Sequence, residues 1–313
     1  MQKHLLAICC MLVTATLFAN QPKVILYPNG NKHFEYEVKN DLYNGPFTSY
    51  FENGKVRMTG CFSNNQKTGV WTTWDANGIM RSQRKYADDY TFEILNEWND
   101  KGVAVAPEVI QQKNERIIGA RSKGIIEKQS IYMQRFWKEI DAGNASNAFL
   151  FKDNFFFQFL LTEATGKRMY IFEEDRFVHP VNDFKELLAY KNVSPAEYIV
   201  KKEIVYTKDH EVMHTRVIGI CPVVLVNGEK KQLGWFYVPD VRNNRMATDR
   251  VEDIITNLEK NNYAGTVVKT TIGSQQFEGR EVVAADTDAI NLSTLDYEAG
   301  VVIYLMDKSL AGK

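Results

Sequence analysis

The stretch YFENGKVRMTGCFSNNQKTGVWTTW, from Tyr50 to Trp74, begins and ends at equivalent positions of a repeating pattern. The repeat is easiest to see in its glycines, which stand 24 residues apart at Gly30, Gly54, Gly78 and Gly102. Asn precedes the first three glycines, and Asn-Gly is the pair preferred in type I′ hairpin turns, where both central residues have positive φ. Self-similarity at a fixed period predicts one supersecondary unit repeated along the chain.

Aromatic and apolar residues follow the same period and indicate the faces of the repeated hairpins. They form three series: Phe47, Trp71 and Leu95; Tyr50, Trp74 and Trp98; and Val38, Phe62 and Tyr86. Gly45 and Gly69 mark the predicted return turns. Stacked hairpins predict a twisted antiparallel ribbon with aromatic side chains on one face and polar side chains on the other. Cys61, next to Phe62, is expected to face away from the core of the ribbon.

The quoted stretch also resembles the MORN repeat variant common in bacterial proteins, and the resemblance covers about residues 25–102. It implies a binding or spacer surface and no catalyst. We assign residues 20–104 to this repeat region. A ribbon of hairpins has an unpaired strand at each end, and such an edge either accepts an added strand or needs a cover.

The first 19 residues have the pattern of a secretory signal peptide. Lys3 precedes an apolar run from Leu5 to Phe18, and Ala19 suits a cleavage site. No later segment has about 18 consecutive apolar residues, so we expect a soluble mature protein. The formal net charge of −1 supplies no field that would hold nucleic acid. Cys61 and Cys221 remain after cleavage, and the sequence leaves open whether they form one bridge or stay free.

Residues 105–124 are predicted to connect the ribbon to a mixed α+β domain at 125–313, which makes the whole chain α+β. Pro107 is placed to open a helix in the connector. The segment near Trp137 fits either a helix face or an alternating strand. Further helices are predicted at 154–167, 181–192, 194–202 and 249–260. A hairpin is predicted at Asn227-Gly228 with a second strand at 233–238, and strands are predicted from Thr266, most clearly at 301–305.

The segment HEVMH matches the H-E-x-x-H signature of zinc proteases at His210, Glu211 and His214. That site needs a helix, but both flanks are rich in strand-forming residues. In a strand the two histidines would lie about 13 Å apart, too far to share one ion. Val217 and Ile220 also stand where a metzincin has Gly and His. We therefore interpret the segment as a polar hairpin tip and predict no metal site.

Other catalytic patterns are weak, so we predict no catalytic residue and no cofactor. The segment 286–291 begins like a calcium loop but lacks the glycine and glutamate at the positions such a loop requires. The acidic trio at 173–175 reads as a solvated turn. His33 and His179 are interpreted as lone histidines without recognisable partners.

Residues 132–242 resemble the GldN/PorN family. The similar pieces are FWKEIDAGNASNAFLF (136–151), NDFKELL (182–188), TRVIGICPV (215–223) and GWFYVPDVR (234–242). The positions that carry the family pattern are Trp137, Ile140, Asp141, Asn147, Arg216, Gly219, Pro222, Pro239 and Arg242. The repeats are not part of that pattern, and the match fades after Arg242.

The resemblance implies a non-enzymatic periplasmic ring component of the gliding and type IX secretion machinery of Bacteroidota. It implies an outer-membrane-anchored ring lipoprotein as partner, a location at the outer membrane, and permits a homo-oligomeric ring. The alternative is an exported binding protein that uses its MORN-like repeat surface. A zinc-dependent hydrolase is the third interpretation and rests on HEVMH alone.

Overall fold

A computed structural model describes residues 22–88, 91–121, 130–207, 212–273, 280–283 and 287–311. The predicted signal peptide lies outside the described residues, as do His210 and Glu211. Two antiparallel seven-stranded sheets and a set of helices make up the described part, which confirms the α+β class.

The first sheet, called here the repeat sheet, is the predicted ribbon of hairpins. Its strands pair in chain order, each antiparallel to the next. They are β1 (Lys23–Leu26), β2 (Lys32–Lys39), β3 (Leu42–Tyr50), β4 (Val56–Ser63), β5 (Gln66–Trp74), β6 (Met80–Tyr86) and β7 (Phe92–Glu97). Phe47, Trp71 and the series of Val38, Phe62 and Tyr86 lie together in one hydrophobic cluster on one face of the sheet. The prediction was wrong for the remaining members of the three series, which lie outside this cluster: Tyr50, Trp74, Trp98 and Leu95.

The turns at the four repeat glycines are not of type I′. The glycines have φ between 76° and 89°, but Asn29, Asn53 and Asn77 do not have positive φ. Around Gly54, the glycine N–H donates to the Phe51 carbonyl at 2.8 Å and the Phe51 N–H donates to the carbonyl of the residue after the glycine. This is a three-residue loop, a type I turn followed by a left-handed glycine, so only the glycine needs positive φ.

The return turns also differ from expectation, because Gly45 and Gly69 lie within β3 and β5. The chain reverses instead at 40–41 and 64–65, where both residues of each pair have positive φ. These two-residue loops are the type I′ turns of the ribbon. Asn227-Gly228 is a third such turn, with both φ values positive, and it confirms the predicted hairpin turn. The second strand of this hairpin is Glu229–Gln232, however, and not 233–238 as predicted.

The second sheet has the strand order β11-β10-β9-β8-β13-β14, and β12 pairs with β10. Its strands are β8 (Ser130–Asp141), β9 (Glu197–Thr207), β10 (Val212–Val226), β11 (Glu229–Gln232), β12 (Phe236–Tyr237), β13 (Thr266–Gly273) and β14 (Arg280–Val283). The segment near Trp137 is thus a strand. The helix predicted at 194–202 was wrong, since β9 begins at Glu197 and lies between β8 and β10, where Tyr198 and Val200 are fully buried.

Seven α-helices are present in the described part of the chain. They are α1 (Pro107–Arg121), α2 (Ala148–Phe151), α3 (Phe155–Thr165), α4 (Lys185–Ala189), α5 (Val238–Arg242), α6 (Asp249–Glu259) and α7 (Thr287–Ala311). The helices predicted at 154–167, 181–192 and 249–260 are confirmed, as is the helix opened by Pro107. None of the helices in this part is long and apolar enough to cross a membrane.

The strand predicted at 301–305 was wrong, because these residues belong to helix α7. The run of β-branched residues at 301–303 favours a strand locally. However, the apolar residues Leu292, Leu295, Ala299, Val302 and Met306 recur at helical spacing. Leu292 and Ala299 are buried among the aromatic residues of the repeat sheet. Tertiary packing of this face therefore outweighs the local strand preference.

Candidate interaction site: the repeat face and helix α7

Helices α1 and α7 cover the aromatic face of the repeat sheet. One hydrophobic cluster joins Phe47, Phe62 and Trp71 of the sheet to Ile110 of α1 and Leu292 of α7. Trp71 has 2% of its surface exposed. This covered face, defined by the apolar side chains of β2 to β7 and the polar groups beside them, is called here the repeat face.

The outer edge of β7 is covered by α1. The side chain of Asn114 accepts a hydrogen bond from the Ile94 N–H at 2.8 Å and donates one to the Ile94 carbonyl at 2.9 Å. Lys113 beside it forms a buried ion pair with Glu97 at 2.7 Å. One end of the ribbon is therefore covered from within the chain by the segment predicted as a connector. At the other end, Val24 and Leu26 of β1 are exposed.

The four acidic residues of α7 all bond to the repeat sheet, beginning with Asp288 near the start of the helix. Its two carboxylate oxygens accept hydrogen bonds from the hydroxyls of Tyr36 at 2.8 Å and Tyr43 at 2.7 Å. Burial, followed by the charge of Asp288, raises the pKa of Tyr43 well above its ordinary value. Tyr43 therefore stays a neutral donor at physiological pH.

Asp296 joins two strands of the repeat sheet to the middle of α7. Its Oδ2 lies 3.0 Å from Nε2 of His33 and 3.1 Å from Nη1 of Arg57. Arg57 also donates to the main-chain carbonyl of Asp296 at 2.6 Å. The His33 ring stacks between Tyr27 and Phe34 at 3.9 and 3.7 Å. His33 thus has well-defined partners, and the sequence interpretation of a lone histidine was wrong. His179 is also partnered, 3.3 Å from a Glu174 oxygen.

The remaining acidic residues of α7 reach the middle and the far side of the sheet. Glu298 binds Lys67 at 2.7 Å, and Lys67 also lies over the Tyr86 ring at 4.4 Å. Lys67 has 2% of its surface exposed, so water hardly screens this ion pair. Asp307 accepts a hydrogen bond from Arg81, which also donates to a main-chain carbonyl at 3.1 Å.

The sheet residues that bind the α7 carboxylates recur with the 24-residue period, and this recurrence is visible in the sequence. His33, Arg57 and Arg81 each stand three residues after a turn glycine and are therefore 24 residues apart. Tyr43 and Lys67 form a second series with the same spacing. Neither series was predicted, because only the glycines and the apolar residues were used to define the period. Equivalent side chains of successive repeats project from the same face, so each series forms a row of donors across the sheet.

The type I′ turns of the ribbon contact the second unit, which comprises the second sheet and α2 to α6. The side chain of Asn65 donates to the carbonyls of Asn261 and Tyr263 at 2.8 and 3.1 Å. Asn144 donates to the Asp41 carboxylate at 2.6 Å. A cavity of about 120 Å³ lies where the repeat sheet, the second sheet and α7 meet.

The predicted family-like positions lie in this second unit, and those at its β8 end organise the backbone. Asn147 is fully buried; its side chain donates to the Asp141 carbonyl and accepts from the Ala264 N–H, both at 2.9 Å. Ile140 is fully buried in the main core. The Trp137 indole N–H donates to Asp175 at 2.5 Å, which gives the predicted acidic turn a structural contact.

The family-like positions around β10 also build the fold. Arg216 binds the buried carboxylate of Glu203 at 2.6 Å. Gly219 sits at a bulge, and a Cβ there would lie 2.7 Å from the Phe177 ring. Pro222 lies opposite Tyr198. Elsewhere, Pro239 occupies the first turn of α5, and Arg242 forms ion pairs with Glu252 and Glu259 at 3.0 Å. These positions do not converge on one pocket.

The HEVMH segment is described only in part. Strand β10 begins at Val212, opposite Thr207 of β9, and His214 lies in β10 opposite Val205. The two strands form an antiparallel pair on either side of residues 208–211. The helical geometry that a zinc-protease motif requires is therefore not present from Val212 to His214. Cys61 and Cys221 are free thiols; Cys61 is half-buried and Cys221 is buried.

Comparison with known families agrees with both regions. Residues 125–291 match the family described as gliding motility associated protein GldN. The match covers more than half of the chain, and the protein belongs to this family. Residues 43–64 and 67–88 match the MORN repeat variant. No curated protein matches the chain.

Proposed function

We propose that this GldN family member is a non-enzymatic structural component of a gliding or type IX secretion complex, located in the periplasm at the outer membrane. The observation that carries the proposal is the family match over residues 125–291. Within that complex the chain contacts an outer-membrane-anchored ring lipoprotein and forms rings with copies of itself. The protein then acts by binding, and its surface is the functional element.

The geometry of the second unit supports a binding role. The family-like residues Asn147, Arg216 and Arg242 are engaged in contacts within the chain. Such residues preserve a shape instead of presenting reactive groups to a substrate. Exposed apolar side chains on the same unit include Tyr170, with 66% of its surface exposed, and Met246, with 59%. Exposed aromatic residues and methionines of this kind are enriched at protein interfaces.

A second candidate is an exported binding protein that uses the repeat surface. The match to the MORN repeat variant favours it. However, the aromatic face of the repeats is occupied by α1 and α7 in this structure. We therefore rank this candidate below an assembly role for the second unit.

Fractionation and co-purification test the proposal. A tagged full-length chain, expressed from its own locus, is expected in the envelope fraction and should retain a lipoprotein and other secretion components after mild detergent extraction. A matched strain with the same tag on an unrelated periplasmic protein gives the background. Recovery of the tagged chain in the cytoplasm, or in the envelope without any of those components, would contradict the proposal.

A further inference from the structure

The contact between α7 and the repeat face is formed by charge as much as by apolar packing. The acidic residues of the helix are at positions 288, 296, 298 and 307, and the sheet supplies their donors from equivalent repeat positions. The donors of the sheet match the carboxylates of α7 in both position and charge. Ion pairs and hydrogen bonds depend on the placement of charged groups and not on the rest of the helix sequence.

The fit of α7 to this face is incomplete. A void of about 20 Å³ separates Leu295 and Ala299 of α7 from Thr73 and Ser82 of the sheet. Within the described residues, the hydroxyls of Thr73 and Ser82 and the Oδ1 atom of Asp296 are buried without a hydrogen-bond partner. A buried polar atom without a partner is destabilising. A helix that places a polar group beside the hydroxyls of Thr73 and Ser82 would make hydrogen bonds to the face that α7 does not make.

The family match ends at residue 291, near the start of α7. Most of α7 and the whole repeat sheet therefore lie outside the family-matched segment, and they contact each other.

We propose that the repeat face is a receptor for an acidic amphipathic helix, that α7 occupies it in the isolated chain, and that a partner protein displaces α7 with a helix of the same charge pattern. The partner helix carries carboxylates at relative positions 0, 8, 10 and 19, with small or apolar residues between them on the same side. Displacement frees α7 and couples partner binding to the exposure of the C-terminal segment. This inference goes beyond the proposed function and does not depend on it.

Hydrogen exchange on the wild-type chain tests whether α7 can leave the face. The α7 amides are expected to exchange at least tenfold faster than the amides of β4 and β5, because the helix opens without unfolding the sheet. Excess synthetic peptide with the sequence of residues 287–311 should accelerate α7 exchange further and leave β4 and β5 protected. A control peptide with Asn or Gln at its four acidic positions should have no effect. Equal protection of α7 and the sheet, unchanged by the acidic peptide, would overturn the proposal.

Peptide binding tests the recognition itself. Fluorescence anisotropy of the labelled acidic peptide should give at least tenfold tighter binding to an Asp296→Lys/Glu298→Lys variant than to wild type, because the resident helix competes less well. Adding Arg57→Glu to that variant should abolish binding, and a peptide carrying Asp296→Arg should restore it. Circular dichroism checks that the sheet remains folded. Binding that is indifferent to Arg57→Glu would refute the predicted receptor.

Discussion

The repeat sheet and the second sheet have the same number of strands but are specified differently. In the repeat sheet every strand pairs with its neighbour in the chain, and each hairpin repeats the previous one. In the second sheet β8 pairs with β9 and β13, which places Trp137 opposite Lys201 and Lys269. Pairing between strands that follow one another in the chain can be predicted from the spacing of the repeat alone. Pairing between strands distant in the chain depends on which strand faces are buried together in the folded protein.

The two sheets also use their charged residues differently. In the second unit, Arg135 and Arg216 both bind Glu203 within the same sheet. In the repeat sheet, Arg57 and Lys67 bind the carboxylates of Asp296 and Glu298, in a helix more than 200 residues away in the chain. The arginines of the second sheet therefore bind a carboxylate of the same sheet, whereas the cations of the repeat sheet bind carboxylates of helix α7. This difference separates a scaffold from a receptor surface.

The largest loss of stability is expected at Gly60 of the repeat sheet, where an added side chain has the least space. A Cβ on Gly60 would lie 2.1 Å from the Trp71 ring, so Gly60→Ala should lower the free energy of unfolding by about 3 kcal/mol. The control is Gly54→Ala, where φ is +81° but no atom lies within 4 Å of the new Cβ. Its cost should be about 1 kcal/mol, from backbone strain alone. Urea unfolding measures both; equal losses would contradict the close packing of Trp71 on Gly60.

A smaller effect is expected in the second unit from Asn147→Ala. The change leaves the buried Ala264 N–H without an acceptor, which should cost about 2 kcal/mol. Asn144→Ala removes the half-buried cap bond from the Ser146 N–H and the exposed hydrogen bond to the Asp41 carboxylate, and should cost about 1 kcal/mol. Thermal unfolding of both variants ranks them. A reversed order would show that Asn147 does not organise this corner of the fold.

The ion pair between Lys67 and Glu298 should show measurable coupling. A double-mutant cycle with Lys67→Met and Glu298→Gln is expected to give about 1.5 kcal/mol, since both side chains are largely buried. The solvent-exposed pair of Lys32 and Glu35 serves as control and should give a clearly smaller coupling energy, because water screens it. Coupling energies from urea unfolding that do not differ between the pairs would argue against a buried contact between α7 and the repeats.

The thiols of Cys61 and Cys221 should differ in their rate of alkylation in the folded protein. Burial raises the pKa of Cys221 to about 12, so it remains a protonated, inaccessible thiol at neutral pH. Cys61 is half-buried on the repeat sheet. Iodoacetamide at neutral pH, followed by peptide mass mapping, should modify Cys61 first and modify Cys221 only after denaturation. Rapid native labelling of Cys221 would contradict its burial in the second sheet.

The sequence predicted the repeat sheet because a 24-residue period samples each position several times. The sequence did not reveal which turns are type I′. An Asn-Gly pair in a two-residue loop has positive φ at both residues, whereas the loop at Gly54 has three residues and only the glycine has positive φ. The strand at Glu197 and helix α7 were mispredicted because burial against distant elements overrides local preference. The donors Arg57 and Arg81 were visible in the period, but their acidic partners belong to a helix that the local pattern did not predict.

Site-specific photo-crosslinking in living cells tests most directly whether the family-matched unit is the contact surface. A photoreactive phenylalanine analogue replaces Tyr170 in that unit or Val70, which is 48% exposed, in the repeat sheet. After irradiation, the adduct at position 170 is expected to contain an outer-membrane lipoprotein of the secretion complex, whereas position 70 should not yield that adduct. If the lipoprotein adduct forms only from position 70, the repeats are the contact surface and the account is contradicted.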